Sequence, residues 1–214
     1  EAEGIPLPDS PEDYGTGLVF LPRDDASARD CMATLERIAA EEGQQVLGWR
    51  EVPIEPEAVG EIARSVLPTV RQVFIGRGDT TEAGQLELKL LVIRKRVEHA
   101  VSEEHPEHAD YFHIPSLSGR TLVYKGLLMG SQVPAFYPDL ADEDVVSALA
   151  LVHQRFSTNT HPTWPLAQPF RVIAHNGEIN TIQGNHYMLR ARESVMASEA
   201  FGEDLQRLFP TIEE

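Results

Sequence analysis

One cysteine in 214 residues excludes a good deal. Cys31 has no second thiol to pair with, so no internal disulfide framework is available, and the usage fits a reducing compartment. Nor can one thiol hold an iron–sulfur cluster. Long apolar runs are missing too: nothing approaches the roughly 20 residues that a membrane-spanning helix needs. The opening, "EAEGIPLPDSPEDYG", is acidic and proline-rich where a secretory signal is basic and then apolar, so a cytoplasmic protein is expected. Positive charge is scarce, with 18 Lys and Arg against 34 Asp and Glu and a net charge of −16. Such a surface repels a polyanion over most of its area, which argues against nucleic acid as a partner. Several motifs are absent as well. "GRGDTTEAGQ" (76–85) has glycines but not the spacing of a phosphate or dinucleotide loop, and neither G-x-S-x-G nor H-E-x-x-H occurs.

What is present is ordinary globular material, 42% hydrophobic and 24% charged, enough for one substantial core or two small ones. Residues 1–15 read as a loop. "GLVFL" (17–21) reads as a buried strand. "DDASARDCMATLERIAAEEG" (24–43) reads as a helix with Met32, Leu35, Ile38 and Ala39 on one face and Gly43 as its stop. A strand over 44–53 closes at Pro53, a short helix over 57–67 ends at Pro68, and "TVRQVFIGR" (69–77) alternates as a third strand. A long helix is expected over 81–103, with Leu86, Leu88, Leu91, Val92 and Val97 among its apolar positions. Residues 111–126 read as a hairpin and 133–140 as a proline-limited turn of helix. Strands are expected over 145–159 and 168–179, and a helix over 180–198. The alternation predicts one α/β or α+β domain with a mixed or antiparallel sheet.

Polar residues concentrate in "HQRFSTNTHPTWPLAQPF" (153–170) and "AHNGEINTIQGNH" (174–186). Arg155 follows the apolar run "ALALV", and a guanidinium at a strand end offers a planar fork that matches a carboxylate. A surface arginine paired with one of the many acids would look the same. Asn176 and Gly177 fit an oxyanion hole, a side-chain amide and a backbone N–H aimed at one developing charge. They fit a plain hairpin turn equally. His105, His108 and His113, in "HPEHADYFH", have a spacing open to a metal. No cysteine and no regular ligand pattern accompany them, so a solvated loop is expected and no metal is assigned. Cys31 falls on the apolar face of the first helix, where packing is its expected role.

Read together, "HQRFSTNT", "WPLAQPF" and "HNGEINT" closely resemble the glutaminase domain of the glutamate synthase family, among the class II glutamine amidotransferases. A weaker likeness runs upstream through "VLGWREVP", "SVLPTVRQVFIG", "FHIPSLSGRTLVYKGL" and "FYPDL", so residues 1–214 read as one partial domain of this type. The resemblance implies an α+β fold, the four-layer αββα sandwich of the N-terminal-nucleophile hydrolases, here incomplete at both ends. It implies hydrolysis of L-glutamine to glutamate and ammonia through a γ-glutamyl thioester. Arg155 would bind the glutamine α-carboxylate, Asn176 and Gly177 would form the oxyanion hole, and Thr158 and Gln168 would lie near the substrate.

The family's nucleophile is an N-terminal cysteine whose free amine serves as base. This chain opens Glu1-Ala2-Glu3, so the expectation is an internal portion with half a site and no turnover of its own. The resemblance places no cofactor in this segment. It gives the parent enzyme FMN, an iron–sulfur cluster and NADPH or ferredoxin, a synthase domain acting on 2-oxoglutarate, and a small reductase subunit. Two other readings stand beside it: an amidotransferase domain of another biosynthetic enzyme, and a noncatalytic glutamine-binding or regulatory relic.

Overall fold

The run "GLVFL" is the second half of strand β1 (Tyr14–Leu21), and its last four residues have no exposed surface. A strand so uniformly apolar is covered on both faces. The computed structural model, which describes residues 4–79, 81–82, 84–108, 110–154, 162–170 and 181–211, supplies both covers. β1 pairs antiparallel with β3 (Thr69–Gly76), which pairs antiparallel with β2 (Gln45–Glu51), giving the order β1-β3-β2. One face of the sheet (Val19, Leu21, Val73, Ile75) packs on two helices, α1 (Asp25–Glu41) and α3 (Leu86–Glu104). The other face (Leu18, Phe20, Val70) meets Val52, Val59, Leu128, Phe136, Tyr137 and Trp164 in a second core.

Helix α1 starts where the sequence predicts. Asp24 is its N-cap and accepts from the Ser27 backbone N–H at 2.9 Å, satisfying a donor with no partner inside the helix. It ends at Gly43, whose φ of +73° is open to glycine and strained for other residues. Its inner face is Ala28, Cys31, Leu35, Ile38 and Ala39, with Met32 at the margin. Just beyond α1, the Glu42 side chain is 1% exposed and receives Lys89 at 3.1 Å, Arg96 at 2.5 Å and Arg207 at 2.8 Å. Three cations around one carboxylate meet the requirement that a buried charge be paired.

Several expectations need correction. α3 starts at Leu86, not 81, because Gly84 has φ +89°, which a right-handed helical turn cannot include. The helix expected over 57–67 is a 3-10 turn at Pro56–Ala58 and a separate α2 (Glu61–Ser65). Residues 111–126 form no hairpin. Instead His113 and Ser118 each bridge the free edge of β1, at Phe20 and Thr16, and Pro115 between them has no N–H to extend the pairing. That segment covers an edge that would otherwise be open to another strand. It comes so close that a Cβ on Gly17 would meet the Ser116 carbonyl.

The turn expected over 133–140 is α4 (Val133–Phe136) followed by a 3-10 turn at Pro138–Ala141. Residues 145–154 are not a strand; Val146, Leu149 and Val152 are largely exposed, and residues 155–159 lie outside the description. Most of the strand expected over 168–179 also lies outside it. The last expected helix is α5 (Ile182–Glu193). After it, Met196, Phe201, Leu205, Leu208 and Phe209 fold back onto Val92 and Leu91 of α3. Among the described residues no helix is long and apolar enough to cross a membrane.

Candidate functional site

Arg155, Thr158, Asn176 and Gly177 lie in the segments 155–161 and 171–180, outside the described residues. Between these segments runs 162–170, which is anchored in the second core. Trp164 is 2% exposed and packs into that core. Its indole N–H donates to the Ala63 carbonyl at 3.1 Å, which meets the need of a buried Trp for a partner. The ring stands edge-on to Phe20 at 6.0 Å and tilted to Phe136 at 5.5 Å. Gly126 lies against the indole so closely that a Cβ there would overlap the ring.

Lys125, next to that glycine, is 3% exposed. Its ammonium donates to the Pro165 carbonyl at 2.6 Å and lies 5.0 Å from the centroid of the Phe170 ring. The Lys125 carbonyl in turn accepts from the Tyr137 hydroxyl at 2.8 Å. One side chain thus holds the segment near both ends. Burial pushes the Lys125 pKa down to about 7; the charge of Glu98 opposes this and that of Arg94 adds to it. Gln168 lies inside the pinned stretch, half-buried, between the fully buried Ala167 and Pro169, to which it is joined by a cis peptide.

The described residues contain an arginine fork, though not at Arg155. Arg50 on β2 grips Asp139 through Nη1–Oδ2 at 2.8 Å and Nη2–Oδ1 at 2.7 Å, and the Tyr124 hydroxyl donates to the same carboxylate at 3.0 Å. The Arg50 hydrogen bonds hold the Asp139 carboxyl below its usual range against the opposing effect of burial. This pair ties β2 to the segment after α4, beneath the Trp164 core. Sequence reading missed Lys125, Gly126 and Trp164 as the anchors of residues 162–170. Their signal was the "YKG" and "TWP" text inside the resembling stretches.

Cys31 has no exposed surface, and burial first, then the charges of Asp30, Asp24 and Glu107, raises its thiol pKa to about 11. A thiol held protonated in a core is no nucleophile. His113 faces inward beside Phe20, where burial, then the charges of Lys125, Arg94 and Lys95, lower its pKa well below the usual imidazole value. A cavity of about 510 Å³ opens between α3 and α5, lined by Glu98, His99, His113, His186, Arg190 and Glu193 among others. Gln168 does not line it.

The family model for glutamine amidotransferases of class II matches residues 1–214. Over 213 residues the chain is 47% identical to the glutamate synthase (NADPH) large chain of Bacillus subtilis, covering 99% of this chain and 14% of that one. It is 45% identical over 197 residues to the corresponding large chain of Azospirillum brasilense, covering 92% and 13%. It is 43% identical over 184 residues to the chloroplastic ferredoxin-dependent glutamate synthase of Oryza sativa, covering 86% and 11%. The chain therefore spans 11–14% of the length of these relatives, which differ among themselves in the reductant in their names.

Proposed function

We propose, from the premise that this chain belongs to the class II glutamine amidotransferases, that it forms part of the glutaminase site of a glutamate synthase. The observation that carries the reading is the 47% identity to a glutamate synthase large chain across 99% of this chain. In this reading Arg155 receives the α-carboxylate of L-glutamine on its guanidinium fork. Asn176 and Gly177 donate to the oxygen of the tetrahedral adduct, where negative charge develops. Thr158 and Gln168 flank the substrate. The segment 162–170 joins the two halves of the site, and Trp164 and Lys125 fix its path.

Chemistry at the γ-amide needs a nucleophile that these residues do not supply. Cys31 is the sole cysteine, buried and protonated. The attacking thiolate belongs outside residues 1–214, and this portion by itself binds without turnover. Attack would release ammonia and leave a γ-glutamyl thioester, which water hydrolyses to glutamate. The ammonia would pass to 2-oxoglutarate in a separate synthase domain of the same protein. The relatives' names include NADPH-, NADH- and ferredoxin-dependent enzymes. One buried cysteine does not fit the ligand set of an iron–sulfur cluster; in this reading the cluster, FMN and any small reductase subunit would engage other parts of the protein. The same reading extends to the fold: the β1-β3-β2 sheet with α1 and α3 supplies one sheet and one helical layer of a four-layer αββα sandwich.

The test joins N-terminal sequencing of the native polypeptide to a glutaminase assay on the same sample. A mature N-terminal cysteine with ammonia release is the expected result. A native chain that starts at Glu1 and releases no ammonia overturns the reading in favour of a pocket that binds without reaction.

A further inference from the structure

The turn that leaves α3 brings together three side chains that the glutaminase reading does not use. His105, Glu107 and His108 each offer a ligand atom, and these atoms lie within 4.8 Å of one another. We propose that His105, Glu107 and His108 form a binding site for a divalent transition metal of the zinc type at the end of α3.

The backbone sets the pattern. Residues Pro106–His108 form a 3-10 turn, in which positions three apart eclipse, so the His105 and His108 rings stack with centroids 5.5 Å apart and planes 23° from parallel. An imidazole nitrogen ligates through a lone pair in its ring plane, so the stacked rings swing about their side-chain bonds to bring both lone pairs onto one tetrahedral ion, on which their centroids lie roughly 5 Å apart. Glu107 Oε1 is already 3.5 Å from His108 Nε2, against the roughly 3.4 Å between neighbouring ligand atoms on such an ion. The remaining gap closes by side-chain rotation, which Glu107, 63% exposed, is free to make.

The turn is ordered before any ion arrives. His105 N–H donates to Val101, His108 N–H to His105, and both Tyr111 and Phe112 N–H to the His108 carbonyl, each at 2.9 Å. Phe112 is buried in the first core and anchors the far side. A preset backbone with three donors and an open approach meets the requirements for a site. Two imidazoles and one carboxylate select zinc-like ions over magnesium or calcium, which prefer all-oxygen shells. Three protein donors leave a fourth position for water.

The test is calorimetric titration of the purified protein with Zn²⁺ alone, wild type beside the double substitution His105→Ala, His108→Ala. The wild type should take up about one Zn²⁺ per chain that the double variant does not, with a dissociation constant tighter than about 10 μM. Glu107→Gln should bind at least about tenfold more weakly, the smaller end of what losing even an outer partner of a ligand does. Equal uptake by wild type and double variant, or no uptake of that strength by the wild type, overturns the site. Wild-type affinity in Glu107→Gln overturns the three-donor assignment. An unchanged far-UV circular dichroism spectrum in each variant shows that the comparison concerns ligands and not folding.

Discussion

Arg155, which the proposed reading sets on the glutamine α-carboxylate, and Lys125, which holds Pro165, differ in side-chain chemistry in a way that separates their roles. A guanidinium grips a carboxylate with two parallel N–H bonds, as Arg50 does with Asp139 here. An ammonium is a point charge and cannot reproduce that fork. Arg155→Lys in the active enzyme should therefore raise KM for glutamine strongly in a steady-state assay, with a smaller effect on kcat. An unchanged KM removes Arg155 from the α-carboxylate. Asn176→Ala should instead lower kcat by about 10²–10³-fold, the usual loss for one oxyanion donor. A wild-type kcat leaves Asn176 as a turn residue. The residue types that the glutaminase reading assigns, an amide beside a glycine and a guanidinium, come from the sequence alone and suit an oxyanion and a carboxylate. The supports were not legible. Nothing local says that the lysine in "YKG" reaches Pro165, forty positions along the chain, since a hydrogen bond to a carbonyl leaves no mark on the sequence of its acceptor.

At the scale of elements, the stretch pinned by Trp164 depends on the absence of a side chain at Gly126. A Cβ there overlaps the indole, so Gly126→Ala must displace either the ring or its own backbone. Overpacking of this kind costs about 1–3 kcal/mol. The expected result is a lower urea midpoint, a red shift of tryptophan emission as Trp164 gains water, and reduced glutaminase activity because Gln168 moves with the segment. An unchanged midpoint and spectrum would show that the contact relaxes freely. Elements closed by local chemistry were readable in advance. α1 has its Asp24 cap and its Gly43 stop, and β1 and β3 have their apolar runs. Elements defined by distant partners were not. The pairing of His113 with Phe20 and of Ser118 with Thr16 turns an apparent hairpin into a cover for β1. The apolar run over 145–152 reads as a strand, yet hydrophobicity alone supplies no partner for its backbone.

For the whole molecule, buried titratable groups shape stability against pH. Lys125 has a folded pKa of about 7 against an ordinary 10.5. Between these values the unfolded chain holds a proton that the folded chain has released, so stability rises with pH across that window. Tyr124 and Tyr137 act oppositely above about pH 10, because burial raises their phenol pKa values in the fold. His113, facing Glu98, Lys125, Arg94 and Lys95, has a folded pKa below the ordinary 6.5, so stability falls as pH drops through and below that value. Urea unfolding from pH 5 to 10 should show a rise on both sides of neutrality, and Lys125→Met should flatten the slope between about pH 7 and 10. A slope unchanged in that variant would mean that Lys125 stays charged in the fold. Glu42 has a consequence of another kind, set by the order in which a ribosome delivers the chain. Its contact with Arg207 joins positions 165 residues apart. At about 5–20 residues per second, roughly 8–33 seconds separate the synthesis of the two. Lys89 and Arg96 emerge in that interval, so during translation the acid has two of its three cations within the chain before the last one arrives.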